Sequence, residues 1–346
     1  MTTFEQAWQE ALYGPYGFYR RNDPADHFHT SVAAGELLAQ ALLTLVRAAD
    51  LTRVVDVGTG RGRLLADLHA QAPDLELVGV DVRPRPSDLP DAVRWVAAPG
   101  GAQLPPGAAG WAGGALVVAH EWLDDVPCPV VQRDDDLRWQ VVGVDPDRRG
   151  GPLLGPLLGP PLGPPLGPPP PADLDWLDHW WPAEQPAAGD VAEVGHPRDA
   201  AWAALVAAAP DSLLLAVDYA HQRLDRPPHG TLIGYRDGSA CAPVPDGSCD
   251  LTAHVALDAV AAAGERAGAT RTVLVDQRTA LRSLGVHGRL PDRTLAGNDP
   301  LGYLASVSRA SKAALLLDPA GLGGFGWLLQ STRSGQGGDV LDMVGR

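Results

Sequence analysis

The chain is poor in the residues that would staple it covalently or carry it through a bilayer. Its 346 residues include three cysteines, Cys128, Cys241 and Cys249. An odd count with no C-x-x-C argues against a disulfide framework or a cysteine zinc site and fits a reducing compartment. No run of about 18 apolar residues occurs, so membrane insertion is not expected. Met1-Thr2-Thr3-Phe4-Glu5 lacks the basic-then-apolar pattern of an export signal, and a cytoplasmic protein is expected. Of the ten histidines only His27 and His29 are close, and they share no helical face; no metal site is expected. The formal net charge of −15 lacks the cationic surplus of a nucleic-acid binder and would instead steer a cationic partner inward. Lys312 is the only lysine, while arginine, alanine, glycine and proline abound, a compositional bias that carries no mechanism.

What is present is a glycine turn behind an apolar run. Val54-Val55-Asp56-Val57-Gly58-Thr59-Gly60-Arg61-Gly62 leads to a second run, Leu77-Val78-Gly79-Val80, closed by Asp81, 19 residues beyond Gly62. A strand entering such a turn and then a helix presents bare backbone N–H groups, and an acid ending the next strand accepts hydrogen bonds from ribose hydroxyls. Dinucleotide binding wants G-x-G-x-x-G, with pyrophosphate on the helix N-terminus. Here the spacing is G-x-G-x-G, and Arg63 takes the place of the third dinucleotide glycine. Asp56, two residues before the first glycine, would repel a phosphate but hold an ammonium. S-adenosylmethionine has no phosphate and carries an amino-acid tail. The motif therefore predicts a methyltransferase dependent on this cofactor. Gly58, Gly60 and Gly62 form the turn, and close approach of the methionine moiety leaves little room for a Cβ at the first two. Asp81 is expected on the ribose and Asp56 on the amino group, directly or through water.

The order of segments fits a class I, Rossmann-like α/β fold with seven strands. Residues 1–50 read as helical: Phe4, Ala7, Trp8, Ala11 and Leu12 recur at helical spacing, and a second helix is expected from about Ser31, its cap, through Val46. Residues 51–346 read as the methyltransferase domain. Core strands are expected at Val54–Val57, Leu77–Val80, Val93–Val96, Leu116–Ala119, Leu213–Val217, Thr272–Val275 and Ala313–Leu317. A hairpin is expected within 128–145, from Val130–Gln132 and Trp139–Val144 around Arg133-Asp134-Asp135-Asp136. A Gly/Pro/Leu linker of low complexity, period four, fills 151–171. Leu251–Ala263 reads as a helix, with Asp250 as its N-cap.

Acids gather where such a sheet binds ligands, at the carboxyl ends of its strands. His120-Glu121-Trp122-Leu123-Asp124-Asp125 follows the fourth strand. Carboxylates there suit a nitrogen acceptor that must be held in line and relieved of a proton as the methyl transfers. Glu121 is the preferred catalytic candidate and Asp124 the second. The same acids would also be favourable at the start of a helix, the simpler reading of Asp125. Asp218 ends the fifth strand at the same edge, as a catalytic candidate or a turn residue. His254, four residues after Asp250, is a candidate base or hydrogen-bond partner.

With these residues in view, the chain resembles the MidA-like methyltransferase family, which includes the mitochondrial complex I assembly-factor protein arginine methyltransferase and its bacterial relatives. Asp56–Leu64 is similar to E-x-G-x-G-x-G-x-L, with Asp for Glu. His120–Pro127 is similar to A-[HN]-E-x-[FL]-D-x-[LV]-P, onto which Glu121 and Asp124 fall. Glu193-Val194, Asp218–His221, Gly230-Thr231-Leu232 and Asp250–Val255 are similar to its E-V-S-P, D-Y-G-H, G-T-[LF] and D-[LI]-T-A-[HD]-V-D-F segments. Gly195-His196 replaces the serine, and Ala256-Leu257 replaces the final Asp-Phe. Phe28-His29-Thr30-Ser31 is similar to D-F-x-T-S, which implies that Thr30 and Ser31 help close the cofactor site. The resemblance implies a protein arginine as the methyl acceptor. Alternatives are a small-molecule methyltransferase, or an S-adenosylmethionine-binding assembly factor for a respiratory-complex subunit.

Overall fold

A computed structural model describes residues 1–22, 35–144, 163–334 and 338–345. Thr30 and Ser31 lie outside these residues, as does most of the 151–171 segment. Among the described residues the core is a seven-stranded sheet. Its strands are β1 (Arg53–Val57), β2 (Glu76–Asp81), β3 (Val93–Ala97), β4 (Leu116–His120), β5 (Leu213–Asp218), β6 (Arg271–Asp276) and β7 (Gly326–Ser331). They stand in the order β6-β7-β5-β4-β1-β2-β3. β7 runs opposite to the other six strands, antiparallel to both β6 and β5.

The strand sequences explain this arrangement. β5, Leu-Leu-Leu-Ala-Val-Asp, is buried at every position, as a strand covered on both faces must be. Successive residues serve opposite faces. Val54, Leu116, Leu213 and Leu215 pack with α3 (Gly35–Ala48) and α4 (Arg63–Gln71). Val55, Val117, Leu214 and Ala216 pack against the helices at His196–Ala208 and Leu257–Arg266. Helix α1 (Phe4–Tyr13) starts with a capping box at Thr3 and Gln6. A short α2 (Phe18–Arg21) follows, and both pack in a separate cluster with Val130, Leu232 and Leu251. Trp8 Nε1 donates to the Leu251 carbonyl at 3.1 Å.

Two insertions stand over the carboxyl ends of the strands. Between β4 and β5, Val130–Arg133 pairs antiparallel with both Trp139–Val141 and Val191–Glu193. The described end of the Gly/Pro/Leu segment lies along this sheet, with Leu166 N–H donating to Val141 O, before a helix starts at Pro171. Between β5 and β6, Ile233–Arg236 pairs with Ser239–Cys241 and with Asp250–Thr252.

Two expectations fail here. Ala313–Leu317 is not a strand: Ala313–Leu316 closes the 17-residue helix Pro300–Leu316, and the seventh strand is Gly326–Ser331. Five apolar residues do not by themselves separate the end of a buried helix from a strand. Asp250 is not an N-cap either. It opens a buried strand, Asp250–Thr252, and the helix begins only at Leu257.

Candidate active site

The chain leaves β1 through three glycines in the left-handed region, with φ of +74° at Gly58, +60° at Gly60 and +72° at Gly62. A Cβ on Gly58 would lie 3.2 Å from the Trp122 ring, and one on Gly62 would lie 2.8 Å from Leu89 Cδ1. The turn therefore demands glycine on both conformational and steric grounds. Helix α4 starts at Arg63, immediately behind it. Asp81 ends β2 beside the turn: its Oδ2 accepts from Gly60 N–H at 2.7 Å, and its Oδ1 accepts from the backbone N–H and Nε of Arg83.

These residues wall a cavity of about 590 Å³, with Tyr13 and Tyr19 from the N-terminal helices and His120, Glu121, Trp122 and Asp125 after β4. Glu121 takes φ of +51°, a strained position for a residue with a Cβ. Its backbone N–H donates to Val217 O at 2.8 Å, and its Oε1 lies 3.4 Å from His120 Nδ1. Burial pushes the His120 imidazole down to about 4, so it is neutral at ordinary pH.

Among the predicted site residues, Gly58, Gly60, Asp81 and Glu121 meet in this wall. Asp56 stands behind the turn, buried, with Thr59 Oγ1 donating to its Oδ2 at 2.6 Å; burial pushes its carboxyl up to about 7, against the pull of that bond. Gly62 faces Leu89. Asp124 and Asp218 lie beneath the wall rather than in it. Asp218 Oδ2 accepts from Leu123 N–H at 3.0 Å, and Asp124 Oδ2 accepts from Thr252 Oγ1 at 2.8 Å. Burial, and then Asp124, hold the Asp218 carboxyl well above the carboxylate range. Each residue has one buried oxygen, Oδ1, with no donor from the described chain. His254 stacks on Tyr219, with ring centroids 5.5 Å apart, and burial lowers its pKa.

Residues 121–126 form turns, not the helix start that their acids suggested. Arg198, which the sequence did not mark, holds them. It is 2% exposed, and its guanidinium donates to the carbonyls of Asp124, Val126 and His254 at 2.7, 3.0 and 2.9 Å. Its signal is a lone cation early in the apolar helix His196–Ala208. Glu193 acts similarly nearby: Oε1 accepts from Thr231 N–H and Leu232 N–H, while Thr231 Oγ1 accepts from His254 N–H. The separate sequence blocks thus converge on one frame below the cavity.

A glycine turn beside a strand-end acid, on a doubly wound sheet with one reversed strand, defines the class I S-adenosylmethionine-dependent methyltransferase fold. Residues 69–275 match the model of a family described as "Putative S-adenosyl-L-methionine-dependent methyltransferase", and the chain belongs to that family. It is similar to a COG1565 superfamily member from Burkholderia thailandensis crystallised with S-adenosyl-homocysteine. Identity is 23%, coverage is 96% of this chain and 88% of that one, and the TM-score is 0.70. A native COG1565 superfamily structure from the same organism gives 24%, 99%, 90% and 0.72 for the same measures. No curated protein matches. The turn fits the cofactor: Gly58 and Gly60, both at positive φ, keep side chains out of this part of the cavity wall, and the Asp81 carboxylate stands beside them. Among the described residues no helix is long and apolar enough to cross a membrane, and no group of side chains could hold a metal.

Proposed function

We propose that this methyltransferase acts on a cationic nitrogen, a protein arginine, with Glu121 as the group that orients the acceptor and takes its proton. The observation that carries this reading is the place of Glu121. Its backbone is fixed at the carboxyl end of β4, in the wall of the cavity that also holds the glycine turn. Bound S-adenosylmethionine supplies a methyl group on a positively charged sulfur. Gly58 and Gly60 let the backbone approach the amino-acid moiety, and Asp81 releases Gly60 N–H or Arg83 to accept from the ribose. Asp56 supports the turn and acts on the ammonium through it. The Glu121 carboxylate accepts hydrogen bonds from the acceptor nitrogen, fixes it in line, and takes its proton as the new bond forms. Neutral His120 steadies that carboxylate without adding a charge. Asp124 and Asp218 position the loop from below, and the ring of His254 borders the frame.

The test is Glu121→Gln. S-adenosylmethionine affinity is expected to stay within about threefold while turnover falls at least about a hundredfold, since contacts to the bound cofactor are untouched. The activity assay uses radiolabelled cofactor and extract from a strain lacking the protein. Label recovered as methylarginine supports the reading; label only in low-mass products overturns the protein acceptor, and equal loss of cofactor affinity overturns the role of Glu121.

A further inference from the structure

The wall of the cavity carries a further carboxyl group, Asp125, with unusual company. Asp125 Oδ2 accepts from the Tyr19 hydroxyl, and the same hydroxyl lies 2.7 Å from Asp250 Oδ1. The Tyr13 hydroxyl donates to the Asp125 carbonyl at 3.3 Å, and the Tyr13 and Tyr19 rings are 5.4 Å apart. Tyr13, Tyr19 and Asp125 line the cavity, while Asp250 is 1% exposed behind them. A phenol has one proton to give. With both carboxyls ionised, one of the two oxygen–oxygen contacts would have no hydrogen in it. One carboxyl of the pair is therefore an acid, and the three groups hold two protons between them.

The surroundings favour that state. Burial pushes both carboxyls up, Asp250 to about 7, and Asp124 raises both further. Asp218 from β5 also raises Asp125; Arg83, just past β2, opposes for Asp250, and the Tyr19 hydrogen bond opposes for both. Tyr13 and Tyr19, the facing groups from α1 and α2, are themselves held protonated by burial and these acids. His120, in the same wall, is buried, and its Nε2 has no hydrogen-bond partner among the described residues.

We propose that Asp125, presented by Tyr19, is the specificity-determining subsite for the positive end of the acceptor, and that acceptor binding expels the shared proton. The proposal rests on the nitrogen-acceptor reading above. A guanidinium arriving at Asp125 supplies the positive charge that the proton supplied, so Asp125 becomes a carboxylate and one proton leaves to solvent. Tyr19 then donates its single hydrogen to Asp250. A neutral acceptor of the same shape brings no charge to exchange, so the subsite selects for cations. Glu121 remains the group at the reacting nitrogen; Asp125 selects what reaches it.

The experiment is calorimetry on the full chain saturated with S-adenosylhomocysteine, at about pH 6, below the value of about 7 to which Asp250 is raised. The probes are butylguanidine and its neutral isostere butylurea, each titrated in two buffers of different ionisation enthalpy so that protons are counted. Wild type is expected to bind butylguanidinium with release of about one proton, and Asp125→Asn to bind it at least about tenfold more weakly with no release. Butylurea is expected to bind alike to both and to move no protons. If Asp125→Asn keeps wild-type affinity, or wild type releases no proton on binding, the subsite is overturned while the nitrogen-acceptor reading stands. If wild type binds no butylguanidinium, that reading falls and the subsite with it. Should Asp125→Asn fail to bind S-adenosylhomocysteine, and so be misfolded, the wild-type proton count decides.

Discussion

Arg198→Met is the sharpest test of how the loop under the cavity is held. Methionine keeps the aliphatic stem of the side chain but ends short of the guanidinium carbon, which lies 5.8 Å from the Trp8 ring. It removes all donors, so the carbonyls of Asp124, Val126 and His254 lose the bonds at 2.7, 3.0 and 2.9 Å. The Asp124 carbonyl keeps a second donor, Ala253 N–H at 3.2 Å, while each buried acceptor left without a donor costs about 1–3 kcal/mol. Removing a buried cation returns part of that, because its desolvation cost disappears. The net loss expected is about 2–5 kcal/mol, a large share of the roughly 5–15 kcal/mol that holds a domain together. At this size that corresponds to a fall in Tm of about 4–10 °C, read by the fluorescence of the buried tryptophans. The glycine turn is not touched by Arg198, so S-adenosylhomocysteine affinity should change less than kcat, which depends on the placement of Glu121. A Tm within about 1 °C of wild type together with unchanged kcat would refute the view that these three bonds set the loop.

Gly58→Ala places a Cβ 3.2 Å from the Trp122 ring at a φ of +74°. S-adenosylhomocysteine Kd should rise at least about tenfold by calorimetry, and unchanged affinity would contradict the cradle described above. Stability should also fall as pH rises toward neutrality. Asp56 and Asp250, both pushed up to about 7, stay protonated in the native chain at pH values where the unfolded chain has released those protons. Stability is therefore lost as pH rises from about 4 to about 7, by up to about 1.4 kcal/mol per unit for each group. Buried His120 and His221, pushed down to about 4 and about 2, act in the opposite sense as pH falls below the ordinary histidine value of about 6.5. From about pH 6.5 to 7.5 the carboxyls outweigh the fading contribution of the histidines, and denaturant midpoints that rise across that window would contradict the assignment.

The parts of the site that were legible in the sequence are those built from neighbours along the chain. Val54–Val57, the three glycines and Asp81 belong to one strand–turn–helix–strand unit, whose geometry follows from apolar runs and glycine spacing. Strand β7 was missed because its apolar run is only three residues long and is cut off by a polar residue, Gln330. Gln330 is fully buried, its Oε1 accepting from Trp202 Nε1 and its Nε2 donating to Ala261 O and Thr272 Oγ1. No local pattern announces those partners. Asp250 read as a cap for a similar reason: its strand exists only by pairing with Ile233–Arg236. Arg198 and Tyr19 act across the fold, Tyr19 on partners 106 and 231 residues away, so their roles appear only when the chain is closed.

The position of β7 bears on how the molecule is made. Gly326–Ser331 is the last of the seven strands in chain order, yet it lies between β5 and β6 and pairs with both. A ribosome delivers β1 through β5, with the whole cofactor turn, well before it delivers the strand that joins β6 to them. Until then β5 carries an open, apolar edge, the kind of surface that pairs with other chains. Closing it requires contacts of long sequence separation, which form slowly. The growing chain should thus recognise its cofactor before it can complete its sheet, and the ligand would stabilise the unfinished molecule during the interval in which aggregation competes with folding.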